Sequence, residues 1–414
     1  MFNIRFIMWK KYDTFQVRIH AIHAILVLLI LGSCHSETTT VPSVEITELV
    51  DYETIYSFDE SRYDSTAILA PSILTVDGRS NLFVYDRRRN MVVVLDGGGE
   101  VINEVGREGQ GPGEFRFVNS ITLEQDNLYL VDHWQFFIHK YYLTGEPISS
   151  MDYGSYTRGG QTMLNLLSSI VPEGVQSLDI DNRPFVLPGG NVLLPLGRAD
   201  MGRAIFELRD WEGNHLTDIG EIPEGSLFLP EGGGDVFLSA IKNHEIPGIV
   251  RPRAFPVADP ANHGEFLLIY SAAGRIVKYD TTGTKLWESD IQPTPEIDAI
   301  THDYFTSMEQ QNNPGNQRNP GTCIGMLRKY TRGVSSPEGE LYLATYTDPD
   351  NTVSFSNLSE PLWIHQFNSE GELINRYKMI SGTGASLPSV FDIDFDSCRI
   401  FVVTTDGEIR AYLF

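Results

Sequence analysis

Short apolar runs alternate with short polar turns along most of the chain, and the runs are too brief for helices. Leu82–Tyr85 is apolar and β-prone, Asp86–Asn90 is a charged turn, and Met91–Leu95 is again apolar and β-branched. Asp96–Glu100 holds three consecutive glycines, which reach backbone angles that other residues avoid, and Val101–Val105 reads as a third strand. The next stretch, Gly106–Phe115 (GREGQGPGEF), is too rich in glycine for strand or helix. The spacing predicts a succession of hairpins.

The pattern then returns. Leu128–Ile148, shifted back by 46 residues, lies over Leu82–Ile102 without a gap. Leu128 falls on Leu82, Asp132 on Asp86, Gly145 on Gly99 and Ile148 on Ile102. A self-repeat of this period, made only of strands and turns, predicts the blades of a β-propeller: one such unit cannot bury both its faces, so copies must stack around an axis.

Blade one is expected over Pro71–Val105 and blade two from Asn119 to Tyr153. Blade three takes Pro184–Leu187, Val192–Leu196, Ala204–Arg209 and His215–Ile219. Blade four has Phe266–Ser271, Arg275–Asp280 and Lys285–Ser289, with its innermost strand not resolved by pattern. Blade five has Gly333–Ser336, Leu341–Tyr346, Trp363–Phe367 and Leu373–Tyr377. Blade six has Val390–Phe395, Arg399–Thr404 and Glu408–Leu413, and is one strand short. The β-prone stretch Val44–Phe58 belongs to no blade of its own and is the natural fourth strand, closing the ring by pairing the chain ends. The expected architecture is an all-β, six-bladed propeller of four-stranded antiparallel blades over residues 44–414, with seven blades as the main alternative.

Three insertions interrupt the spacing, at about 154–182, 221–250 and 292–331, each between the outer strand of one blade and the inner strand of the next. These loops and the turns between second and third strands leave from one face, so the elaboration is one-sided, and long loops on a rigid scaffold are where function sits. Thr294–Gln311 reads as a short helix, opened by Pro293 and Pro295, with Ile297, Ile300 and Phe305 along one face.

The N-terminus has a different texture. Lys10, Lys11 and Arg18 precede an apolar run, Ala21–Leu31, shorter than the about 20 residues a membrane-spanning helix needs. It ends in Leu31-Gly32-Ser33-Cys34, which resembles a bacterial lipobox. The resemblance implies that residues 1–33 are a signal peptide, that Cys34 is lipidated, and that 34–43 form a polar tether. No aspartate follows Cys34, which by the same resemblance implies an outer-membrane anchor, facing either the periplasm or the outside. A plain secretory signal is the alternative, and Met8 an alternative start.

Net charge is -24, which argues against nucleic acid as a partner, since a phosphate backbone needs a basic face. Cys323 and Cys398 fall at opposite ends of neighbouring blades by this topology, which argues against a disulfide.

The run from Asp86 through Asp96 and Gly99 to Gly106, Gly109 and Gly-Pro-Gly-Glu-Phe at 111–115 resembles the NHL-type six-bladed β-propeller family. Within it, the chain is most similar to the lipid-anchored, TolB-like propeller proteins of Gram-negative bacteria. Blade three departs from the pattern, with Pro195 where blade two has Val131. Propellers host binding, scaffolding and catalysis alike, so the resemblance speaks to fold more than function.

The sequence carries no P-loop, HExxH, G-x-S-x-G or Cys-x-x-Cys. Gluconolactonase-like propellers hold a metal with Glu, Asn and Asp near the axis, and NHL-type amidating lyases hold zinc with histidines; neither set can be placed here. No catalytic residue, metal ligand or cofactor is therefore assigned. The inner strands offer arginine instead. Aligning the blades puts Ser72, Asn119, Arg183, Arg332 and either Phe391 or Asp392 at equivalent entrances, with Arg253 (or Arg251) and Arg116 nearby. Planar guanidinium forks near an axis suit a carboxylate or phosphate, while the alternative is that they pair with Asp and Glu across the channel. His133 and Trp134, in a turn of blade two, could stack on a sugar or pack on a neighbouring loop. Asp86 and Asp132 are expected to hold their own turns.

The reading is a membrane-anchored binding protein for a protein partner or a small anionic or carbohydrate ligand. The alternatives are a metal-dependent hydrolase or lactonase at the axis, and a structural envelope or secretion-machinery component.

Overall fold

The computed structural model describes residues 44–57, 68–156, 183–196, 204–224, 233–248, 250–262, 264–312, 327–346, 362–380 and 390–414. Two N-terminal strands come first, β1 (Glu45–Leu49) and β2 (Tyr52–Tyr56). Blade one is β3 (Pro71–Val76), β4 (Leu82–Asp86), β5 (Met91–Leu95) and β6 (Val101–Val105). Blade two is β7 (Val118–Glu124), β8 (Asn127–Asp132), β9 (Phe137–Tyr142) and β10 (Pro147–Asp152). Blade three is β11 (Phe185–Val186), β12 (Val192–Pro195), β13 (Phe206–Arg209) and β14 (His215–Ile219). Helix α1 (Gly233–Lys242) precedes blade four, which is β15 (Ala254–Ala258), β16 (Phe266–Tyr270), β17 (Arg275–Tyr279) and β18 (Lys285–Asp290). Helix α2 (Pro295–Gln311) precedes blade five, which is β19 (Arg332–Ser335), β20 (Leu341–Tyr346), β21 (Leu362–Phe367) and β22 (Leu373–Met379). Blade six is β23 (Phe391–Asp394), β24 (Arg399–Val403) and β25 (Ile409–Leu413), completed by β2.

Six blades of four antiparallel strands thus form a ring. The second strand of each blade explains its apolar run: it is buried on both faces, so alternation gives way to continuous hydrophobicity. In β4, Leu82 and Val84 pack against Phe401 and Val403 of blade six, while Phe83 and Tyr85 pack against Leu128 and Leu130 of blade two. The same division recurs at every junction, giving one apolar cluster between each pair of neighbours.

The stretch expected to be one closing strand is two. Tyr52–Tyr56 pairs antiparallel with β25 and supplies the missing fourth strand. Glu45–Leu49 instead lies parallel along β22, adding a fifth strand to blade five. The break at Val50-Asp51 lets a single segment cover the open edges of two adjacent blades. Blade one grips the same segment: a Cβ on Gly99, whose φ is +88°, would lie 2.1 Å from the Ile55 carbonyl oxygen. Gly99→Ala is therefore expected to cost about 1–3 kcal/mol, through the left-handed backbone and the forced retreat of the closing strand. A urea midpoint equal to that of the wild type would contradict this packing.

Helix α2 falls where the sequence predicts it. Thr294 caps it, its Oγ1 accepting from Ile297 N at 3.4 Å, and Ile297, Ile300 and Phe305 are all buried. Helix α1 was not legible, because the glycines at 232–234 read as a turn. It packs against α2: Phe237 and Ile241 join Ile297, Tyr304 and Met308 in the apolar cluster between blades four and five. Both helices lie in connections between outer and inner strands; most of the 154–182 insertion, and 225–232 and 313–326 of the other two, lie outside the described residues.

Candidate functional site

The glycine-rich exit of blade one is a structural loop. The Glu114 carboxylate accepts from Gln110 N at 3.0 Å, Gly111 N at 2.8 Å and Arg107 Nε at 2.8 Å, so the loop folds around its own anion. These bonds hold the Glu114 carboxyl below its usual range. Phe115 then inserts, fully buried, between blades one and two, against the bare face of Gly106.

Asp86 and Asp132, both fully buried, do more than hold their own turns. Asp132 accepts from Trp134 N at 2.9 Å and Gln135 N at 3.1 Å, and also from Arg116 N at 2.7 Å, ahead of the inner strand of its own blade. Asp86 does the same through Arg88 N at 2.9 Å and Leu69 N at 2.7 Å. Each repeat aspartate thus staples a turn to the entrance of the blade, fixing where the axial residues begin.

Two spaces lie along the inner strands. One, of about 110 Å³, is lined by residues of blades one to five, among them Ile73, Ser120, Arg183, Phe255 and Arg332. The other, of about 440 Å³, is lined by all six inner strands and their first turns, among them Thr75, Glu124, Arg332, Asp392 and Asp396. Arg332 lines both.

Arg332 makes one hydrogen bond within the described residues, Nη2 donating to Leu74 O at 3.1 Å. Burial lowers its pKa, against the opposing charge of Asp392. Asp392 shows the converse: burial raises its pKa, although Arg332, Thr75 and backbone N–H groups of Ile393 and Val76 work to lower it. Its Oδ2 accepts from Thr75 Oγ1 at 2.6 Å and Val76 N at 3.1 Å, and its Oδ1 from Ile393 N at 2.9 Å. The two side chains feel each other's field but do not meet as an ion pair.

The structure brings Arg183 and Arg332 together on the smaller space. Arg183 donates to the Asn119 carbonyl oxygen. The Asn119 side chain is buried, and its Oδ1 has no hydrogen-bond partner among the described residues. His133 belongs to the same neighbourhood: burial lowers its pKa, and the Arg183 charge lowers it further. Arg116 and Trp134 sit apart at the rim. Arg116 is exposed, and Trp134, 65% exposed, stacks on Phe117 with ring centroids 5.6 Å apart. Arg253 is half-buried at the entrance to β15 and lines neither space. Of the two registers open at the blade-six entrance, Phe391 or Asp392, it is Asp392 that lines the larger space, while Thr75 was missed as a site residue. The signal for Asp392 is an aspartate within an apolar inner strand, Val390-Phe391-Asp392-Ile393. Among the described residues, no three His, Cys, Asp or Glu side chains are grouped as metal ligands.

Residues 64–158 match the family model described as 6-bladed beta-propeller. The match spans blades one and two, where the repeat is clearest. No curated protein matches the sequence. Several solved structures are similar in shape. A Bacteroides vulgatus member of the duf4221 family has TM-score 0.49 and 9% identity, over 85% of this chain and 94% of that one. A candidate exported protein of Bacteroides fragilis has TM-score 0.46 and 10% identity, over 89% and 98%. A gluconolactonase of Xanthomonas campestris has TM-score 0.42 and 10% identity, over 87% and 89%. The blade assignment rests on the strand pairing of this chain, not on these likenesses.

Cys34 lies outside the described residues, as does Cys323; Cys398 is an exposed free thiol. No helix among the described residues is long and apolar enough to cross a membrane.

Proposed function

We propose that the protein is a lipid-anchored binding protein of the outer membrane that holds a small polar ligand at the propeller axis without transforming it. The observation that carries this reading is Arg332. Its guanidinium borders a space of about 440 Å³, within the range of about 300–1,000 Å³ typical of small-molecule sites. Its side chain spends one hydrogen bond on the chain and is half-buried. A half-buried guanidinium with donors to spare favours a ligand oxygen, a carboxylate or phosphate above all. Arg183 adds a second cation on the adjoining smaller space.

Native mass spectrometry of the gently purified protein tests the pocket. The wild type is expected to carry a small molecule that Arg332→Gln loses, and a clean mass for the wild type would contradict it. The sequence at Leu31–Cys34 supports the anchor. Cys34→Ser is expected to move the protein from the membrane to the soluble fraction; retention in washed membranes would overturn the anchor and leave the pocket untouched.

A further inference from the structure

We propose that the axial ligand is amphoteric, an amino acid or short peptide whose carboxylate meets Arg332 while its ammonium faces Asp392. This rests on the axial-pocket reading above and narrows it to a chemical class.

The inner strands place two opposite charges on one space, a buried Asp392 and a half-buried Arg332, and leave both under-compensated. Arg332 and Asp392 both line the larger space, yet they form no ion pair. Arg332 turns to the Leu74 carbonyl, and Asp392 takes neutral donors, Thr75 Oγ1 and the N–H groups of Val76 and Ile393. Burial disfavours the charged form of each: the arginine is lowered and the carboxyl is raised. Had the two closed on each other, each would stabilise the other's charge. A ligand with an anion at one end and a cation at the other supplies what both lack.

The surroundings give the space a direction. Below Arg332 the lining carries Asp77, Glu124, Asp394 and Asp396, with Arg332 as its single guanidinium or ammonium group among the described residues. Asp77 and Asp394 are held by turn donors, Asn81 N on Asp77 at 2.8 Å and Ser397 Oγ on Asp394 at 2.6 Å. They therefore act as fixed negative charges rather than ligands. The wall above Arg332 carries Arg183 and, among the described residues, no carboxylate. A simple anion reaching Arg332 past the acidic ring is repelled, and a simple cation finds the arginine at the end of the path. A zwitterion suits both ends of this field.

The test is calorimetric titration of the full chain with the twenty standard amino acids and a set of dipeptides. Each is compared with the matching acid that lacks the amino group. At least one zwitterion is expected to bind about tenfold or more tightly than its deaminated partner, as for one charge-assisted contact to a buried group. Arg332→Gln is expected to weaken both members of that pair by a similar factor. Asp392→Asn, which keeps an acceptor for Thr75, is expected to bring the zwitterion down to the level of the acid. Should that variant fail to fold, the wild-type ratio within the pair decides alone. A deaminated acid that binds as tightly as its zwitterion, with Arg332 required, overturns the amphoteric claim and leaves the axial pocket standing. No binding by any probe, beside an Arg332-dependent ligand in the native mass, overturns it in the same way. No binding beside an empty native mass overturns both.

Discussion

Removal of residues 44–57 is expected to abolish cooperative folding of the whole propeller, not merely to trim its edge. β2 makes the ring continuous. Tyr52 packs on Tyr412 at 5.4 Å between ring centroids, and the Arg410 guanidinium lies over the Tyr52 ring at 4.3 Å. Arg410 is 1% exposed and ion-paired to Glu408 at 2.7 Å, so loss of the strand opens a buried charge to water on one side only. Ile55 enters the cluster between blades six and one, and Leu49 the cluster between blades five and six. Tyr56 reaches across to blade one, its hydroxyl donating to Ile68 O at 3.1 Å and accepting from Ile68 N at 2.7 Å. Exposing Leu49, Ile55 and the Tyr52 ring forfeits roughly 1.5–3 kcal/mol each. The total is comparable with the about 5–15 kcal/mol that keeps a domain folded. Urea denaturation followed by circular dichroism is expected to show a broad, non-cooperative transition. A sharp transition at the wild-type midpoint would remove the closure argument.

The second large effect concerns a buried polar network that ties α2 to blade five. His365 Nε2 meets Glu296 Oε1 at 2.8 Å, and Arg376 Nη1 donates to both Glu296 oxygens at 3.0 Å. Tyr330 completes the chain, its hydroxyl 2.8 Å from His365 Nδ1. Arg376 Nη2 also reaches the Val44 carbonyl at 3.4 Å, so the network touches the N-terminal belt. No solvent screens these groups; His365 is 0% exposed. Removing one partner strands the rest, and Glu296→Ala is expected to cost about 3–5 kcal/mol near neutral pH.

The pH dependence of that cost has a definite sign. Burial works to raise Glu296, and the hydrogen bonds from His365 and Arg376 outweigh it, holding the carboxyl below its ordinary 4.5. A depressed carboxyl contributes stability that is present above its unfolded value and lost as pH falls through the folded one. The gap between wild type and Glu296→Ala should therefore be full at pH 7 and shrink in acid. Burial lowers His365 from its ordinary 6.5, against the pull of Glu296. Unfolded histidine takes up a proton first, so wild-type stability should begin to fall below about pH 6.5. Urea midpoints at pH 7.5 and in acid check both. A gap that stays constant would mean that Glu296 does not act through its charge.

The ring was legible in the sequence because the second strands are buried on both faces. Runs such as Leu82–Tyr85 and Leu128–Val131 survive as apolar blocks at a fixed period, whatever their turns do. The innermost strand of blade four was not legible. Ala254–Ala258 contains Pro256 and lies among short polar segments, so neither period nor flanks marked it. The split of the N-terminal stretch was hidden for a different reason. Val50-Asp51 breaks no apolar pattern, and the parallel seat of β1 depends on an edge that exists only once blade five has formed.

Half of the axial site was visible. Arg183 and Arg332 could be placed because register carries over from the second strands to the first. Arg253 could not: without a legible innermost strand in blade four its register was open, and it falls outside both spaces. Asp392 was visible only as one of two registers, with Phe391 as the other. The stacking of Val390–Phe395 beside blade one turns its carboxylate onto Thr75 and the axis.

The central claim is that Arg332 is kept open for a ligand rather than spent on the protein. A crystal structure of the protein as isolated, at a resolution that shows ordered solvent, tests it most directly. Non-protein density is expected within hydrogen-bond reach of the Arg332 guanidinium, absent from crystals of Arg332→Gln. Arg332 closed onto Asp392 as an ion pair, with only water in the space around them, would contradict it.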